Sequence, residues 1–220
     1  MSNKERSNHF ELPMMEADSR SIRRRRLVQG VGINDVGYKT SWRDIEGKVH
    51  RCPFYTRWCS ILSRCFSTHF HKKNPTYKDA TICQEWLYLS NFKLWMESQD
   101  WVGKDLDKDI ITYDNKLYSP ETCVFVDKSV NLLLSTKIKN KGDYKRGVSI
   151  TKKGKFLASC NNGVKGVAIG YYDTEQEAYI AYVRYKSDLI IKVSREQEDI
   201  RVREGLLLHS EHLLATLNES

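Results

Sequence analysis

Residues 146–193 constrain the fold of this chain more than any other stretch, because three β-forming runs separated by tight turns lead directly into a capped helix. Arg146–Thr151, Lys155–Cys160 and Val164–Tyr172 are short and rich in apolar and β-branched residues, as strands are. Lys153-Gly154 and Asn161-Asn162-Gly163 lie between them, and Gly and Asn tolerate the left-handed backbone that hairpin turns require. Thr174 and Glu177 are then spaced as a capping box, and Ala178, Ala181, Tyr182, Tyr185 and Leu189 follow as an apolar stripe. One helix covers one face of such a sheet. The pattern therefore predicts Val148, Ile150, Phe156 and Ala158 under the helix, with Ser149, Thr151, Lys155, Leu157 and Ser159 on an open face.

Upstream, the period changes from two to about three and a half. Phe54, Trp58, Ile61, Leu62 and Cys65 share one helical face behind Pro53, a residue suited to a first turn. A second helix is expected from about Ile82, carrying Trp86, Leu89, Phe92 and Met96 as core. Between them Ser67–Pro75 reads as a basic loop, with a His69/His71 metal pair as the sharper alternative. Asp105–Thr112 alternates charged and apolar residues, Asp114-Asn115 forms a turn, Glu121–Val126 is β-forming, and a helix from near Asp127 carries Asn131. That is a ββα unit. Residues after Arg195 read as a further helix interrupted at Gly205. The expected fold is α+β, divided into a basic arm (1–26), a helical and ββα domain (27–140), a sheet-and-helix domain (141–194) and a C-terminal helix (195–220).

Charge narrows the partner. Lys and Arg number 36 against 28 acidic residues, a net charge of +8 that favours polyanions and makes nucleic acid the leading partner class. Arg23, Arg24, Arg25 and Arg26 are either a solvated run or a phosphate-contacting arm. No apolar stretch approaches the roughly 18 residues of a membrane span, and the N-terminus lacks the apolar core of a signal peptide, so a cytoplasmic location is expected. The six cysteines include no C-x-x-C pair and read as free thiols.

Two resemblances add to this. Leu106-Asp-Lys-Asp-Ile110, Asp114-Asn115, Tyr118–Val126 and Asn131 resemble the ββα unit of bacteriophage HNH homing endonucleases, as do Gly30–Asp35, Arg51–Tyr55 and Cys83–Leu87. Tyr144–Val193 is similar to the APETALA-type DNA-binding domain through Arg146-Gly-Val148, Lys155–Ala158, Gly170–Thr174 and Glu177-Ala-Tyr179. The first resemblance implies a divalent cation, Mg²⁺ or another, held by Asp107 and Asn131, with Asn115 shaping the turn. Lys108 stands where that family places its histidine base. Proton abstraction would then fall to a neutral Lys108, to Asp109, or to a metal-bound hydroxide with Lys108 stabilising phosphate charge. The plain alternative is that Asp107, Lys108 and Asp109 form an ordinary salt-bridged strand. The second resemblance, with the strand pattern, points to DNA contacts from Arg146, Ser149, Thr151, Lys155 and Ser159, with Lys152 and Lys153 on phosphate. The expected function is metal-dependent hydrolysis of duplex DNA at a preferred site. A DNA-binding protein that keeps the ββα unit as scaffold is the rival, and an RNA-binding or protein-inhibiting factor is the third class.

Overall fold

The structure, a computed structural model, describes residues 15–134 and 144–218. In chain order its elements are α1 (Ser19–Arg23), β1 (Ser41–Arg43), β2 (Val49–Arg51), α2 (Pro53–Phe66), α3 (Thr68–Lys73), β3 (Thr81–Ile82) and α4 (Leu89–Glu97). They continue with β4 (Asp105–Asp107), β5 (Leu117–Tyr118), β6 (Val124–Val126), α5 (Lys128–Leu134), β7 (Val148–Ile150), β8 (Phe156–Asn161), β9 (Gly166–Tyr172), α6 (Glu175–Arg195) and α7 (Ile200–Ala215). The fold is α+β. Packing separates a first unit, running up to Val102 and including Lys116–Thr122, from a second made of Gly103–Asn115 and the chain from Cys123 onward. This partition runs through the 27–140 region. No helix among the described residues is long and apolar enough to cross a membrane.

The first unit is built on α2 and α4. Pro53 opens α2, which buries Phe54, Trp58, Ile61, Leu62 and Cys65, the face its spacing predicts. Trp58 spends its indole N–H on the Trp86 carbonyl at 2.7 Å, so this large side chain is buried with its one donor satisfied. Gly32 lies against it: a Cβ there would sit 2.3 Å from Leu62 Cδ1. The second helix starts at Leu89, seven residues later than the periodicity suggests. Thr81 and Ile82 instead pair in parallel with Leu117 and Tyr118, and Trp86 is buried from a short 3₁₀ turn. Ser67–Pro75 is also not a loop. Ser67 caps α3 by accepting from Phe70 N at 3.2 Å, and His71 Nε2 meets the Arg64 carbonyl at 2.7 Å. His69 and His71, two apart on a helix, do not share a face.

In the second unit α6 serves two cores. Its capping box is formed as expected, with Glu177 N donating to Thr174 Oγ1 and Thr174 N to the Glu177 carboxylate. Ala178, Tyr182 and Val183 near its start pack on Val148, Ala158 and Cys160 of the antiparallel sheet β7–β8–β9. Further along, Ile190 joins Val124, Val126, Val130 and Leu133 of β6 and α5, and α7 adds Val202 and Leu206. Gly205 does not interrupt α7. It permits close approach, since a Cβ there would lie 2.1 Å from the Ile110 carbonyl oxygen.

Candidate metal centre and nucleic-acid face

β4 and β6 are antiparallel, with Asp105 opposite Val126, Leu106 opposite Phe125 and Asp107 opposite Val124. Directly paired residues share a face. Asp105 and Asp107 therefore lie on the side of Val124 and Val126, which pack against Val130 and Leu133 of α5. Asn131, on the first turn and a half of α5, donates from Nδ2 to Asp105 Oδ2 at 3.3 Å. Two carboxylates of one strand and the amide of the next helix thus occupy one face.

Asp107 ends its strand. Its Oδ1 accepts the backbone N–H groups of Asp109 at 2.7 Å and Ile110 at 2.9 Å, which turns the chain out of β4 where the charge alternation suggests that the strand continues. Its Oδ2 receives no hydrogen bond from any described residue. Burial, and next among the raising causes the charge of Asp109, push this carboxyl above the ordinary range, against the lowering pull of those two N–H bonds. A desolvated carboxylate with an unused oxygen is a group that gains from a cation.

The following loop is tied at both ends. Lys108, 7% exposed, donates to the Asp109 carboxylate and, at 2.5 Å, to the Asn115 carbonyl. Asn115 returns the contact from Nδ2 to the Lys108 carbonyl at 2.8 Å. From α7, His209 Nε2 meets the Asp109 carbonyl at 2.9 Å, and Tyr113 stacks on His212 with ring centroids 4.0 Å apart. Lys108 is a strut of this loop, and the Asp109 carboxylate beside it remains about half exposed (48%).

The donor set suits a hard divalent cation. Two carboxylates and an amide oxygen, with water and phosphate to complete the shell, are what Mg²⁺ accepts. Among the described residues no three His, Cys, Asp or Glu side chains converge, so a site here depends on Asn131.

The sheet places Ser149, Leu157 and Tyr171 in one row across β7, β8 and β9, and Ser159 opposite Ala168. A bulge between Ala158 and Ser159 shifts the register. Tyr171 is 67% exposed and Ala168 is exposed, so this face is uncovered. The residues expected to contact DNA differ in their surroundings. The charge of Arg146 acts on Cys160, Tyr182 and Lys186, groups of the helix-covered side. Ile150, expected under the helix, is 48% exposed. The Thr151 hydroxyl is enclosed without a partner among the described residues. Lys152 and Lys153 are exposed at the turn, while Lys155 pairs with Asp173 on the surface.

In the arginine run, Arg23, Arg24 and Arg26 are exposed. Arg25 differs: its guanidinium donates to the carbonyls of Asn34 at 3.1 Å, Val36, and Tyr38 at 2.8 Å, bracing the chain of the first unit. Residues 15–26 carry α1, capped by Asp18, where sequence suggests only an arm; residues 1–14 of that arm lie outside the described residues.

No family model, curated protein or solved structure matches this chain.

Three residues of these sites escaped the sequence reading. Asp105 carried a usable signal, since it stands two residues before Asp107 and so on the same strand face. Tyr171 sits in the third strand, where alternation could have placed it. His209 had none, because a contact across 100 residues leaves no local pattern.

Proposed function

We propose that this protein is a metal-dependent DNA endonuclease, of the kind the HNH resemblance implies. The observation that carries the reading is the shared face of Asp105, Asp107 and Asn131, with one oxygen of the half-buried Asp107 receiving no hydrogen bond from the described residues. A divalent cation bound there supplies Lewis-acid polarisation of a phosphate and acidifies a bound water. Asp107 and Asn131, joined by Asp105, hold it. Lys108, Asn115 and His209 keep the Asp107–Asn115 loop in one shape, which matters because a misplaced ligand costs rate directly. Asp109 is the carboxylate placed to accept a proton, since the Lys108 ammonium is occupied by the Asp109 carboxylate and the Asn115 carbonyl. The open sheet face, with Ser149, Ser159 and Tyr171, meets the major groove in this reading as β-strand readers do, and Lys152 and Lys153 reach phosphate from its edge.

Incubation of the full chain with supercoiled plasmid in Mg²⁺, Mn²⁺ or EDTA tests this. Metal-dependent nicking or linearisation, lost in Asp107→Ala and Asn131→Ala, is the expected result. Full activity in either variant removes the metal assignment. The burial of Lys108 as a strut favours a second reading, a DNA-binding protein without catalysis. Duplex binding with no cleavage in any metal would establish it.

A further inference from the structure

The first unit contains a cleft of about 420 Å³ with a cationic wall. Arg25, Arg26 and Lys39 line it with the hydroxyl side chains of Ser21, Ser41 and Tyr55, and among the described residues no carboxylate lines it. Arg25 is locked by backbone carbonyls, which orient its guanidinium without neutralising it. The side chains of Arg26 and Lys39 are exposed and have no hydrogen-bond or ion-pair partner among the described residues. Like charges gathered around one cleft with no carboxylate among its described lining residues repel one another, and an entering anion relieves that repulsion. The lining presents guanidinium, ammonium and hydroxyl groups, the side-chain types that contact phosphate. The exposed rim at Ser21, Arg26, Lys39 and Ser41 admits a group that is part of a long strand.

We propose that this cleft binds a phosphodiester of a nucleic-acid backbone, a contact made by the first unit independently of the sheet face. Naming the nucleic acid rests on the functional reading above, whereas the anion site does not. The cleft also absorbs the arginine run in part: Arg25 orients, and Arg26 with Lys39 makes the contact.

The test uses the full chain, a short duplex of arbitrary sequence and, separately, inorganic phosphate. Each cation that contacts phosphate contributes about 0.9 to the slope of log K against log salt. The Arg26→Ala/Lys39→Ala variant is therefore expected to lower that slope by about 2, and the exposed pair Lys72→Ala/Lys73→Ala, with the same loss of charge, to lower it by clearly less. Saturable shifts of the Thr40 and Ser41 amide resonances with inorganic phosphate, absent in the Arg26/Lys39 variant, support the same site. An unchanged slope, or one changed no more than in the control pair, overturns the proposal. Phosphate shifts without a slope change overturn the phosphodiester assignment in favour of a free phosphate ligand. Absence of plasmid cleavage by the natural chain in any metal, with the slope effect intact, would sink the nuclease reading and leave the cleft standing.

Discussion

The β4–α5 centre and the open face of β7–β8–β9 belong to the same unit yet are built on opposite principles. The centre is half-buried, acidic and over-determined: Asp107, Lys108, Asp109 and Asn115 each hold another part of the loop. The sheet face is exposed and carries hydroxyls, Leu157 and Tyr171 with few fixed contacts. A site for a small hard cation needs ligands fixed within fractions of an ångström, whereas a surface that meets a duplex needs shape and access. Damage therefore spreads differently in the two. Changes around the centre should alter stability as well as metal binding, and changes on the sheet face should act on binding alone.

The largest effect should come from truncation. Removing residues 141–220 takes Ile190, Val202 and Leu206 out of the core that supports β6 and α5. The expected outcome is loss of the centre's fold and of all metal binding, seen as collapsed amide dispersion for residues 103–115 and 123–134. A truncated chain that keeps this fold and binds metal would contradict the dependence of the centre on α6 and α7.

Gly205→Ala is next. Its new methyl would meet the Ile110 carbonyl at 2.1 Å, so helix and loop must part. Overpacking of this kind costs about 1–3 kcal/mol, measurable by urea denaturation. DNA binding by the sheet should survive.

Asp107→Asn sharpens the contrast between stability and function. Because burial raises the Asp107 carboxyl, the folded chain holds that proton more tightly than the unfolded chain. This group's contribution to stability therefore declines as pH rises from the usual carboxylate range through the raised value, and the penalty is complete above it. The asparagine keeps an oxygen for the Asp109 and Ile110 amides and carries no charge. In EDTA at neutral pH the variant should be more stable than the natural chain, with a flatter pH profile. Equal stability at every pH would contradict the desolvation of Asp107.

The smallest effect belongs to the sheet edge. Lys152→Ala/Lys153→Ala should lower the salt slope of duplex binding by about 2 without changing the unfolding midpoint. An unchanged slope would remove these lysines from the phosphate contacts.

Much of the fold was legible because it is local. The α2 stripe, the Thr174–Glu177 box and the hairpin turns are set by neighbours within a few residues. What was illegible depends on distant partners or on one side chain's choice. Asp107 ends β4 by taking two backbone N–H groups, and nothing in the charge alternation shows that it will. Thr81–Ile82 looked like the start of a helix because its strand partner lies at Leu117–Tyr118. Gly205 looked like a break because the Ile110 carbonyl it accommodates is far away in sequence. In the candidate site, the contacts of Asn115 with the Lys108 carbonyl and of Asn131 with Asp105 lie where their motif positions put them, whereas strand alternation alone does not show that the Arg146 charge acts on Cys160, Tyr182 and Lys186.

The most direct measurement is Mn²⁺ binding to the full chain without DNA, followed by electron paramagnetic resonance, for the natural sequence and for Asp107→Asn. Loss of the free Mn²⁺ signal at about one equivalent in the natural chain, abolished in the variant while its fold is retained, is the result expected of a centre formed by Asp105, Asp107 and Asn131. Equal binding by both chains, or none by the natural one, would contradict it.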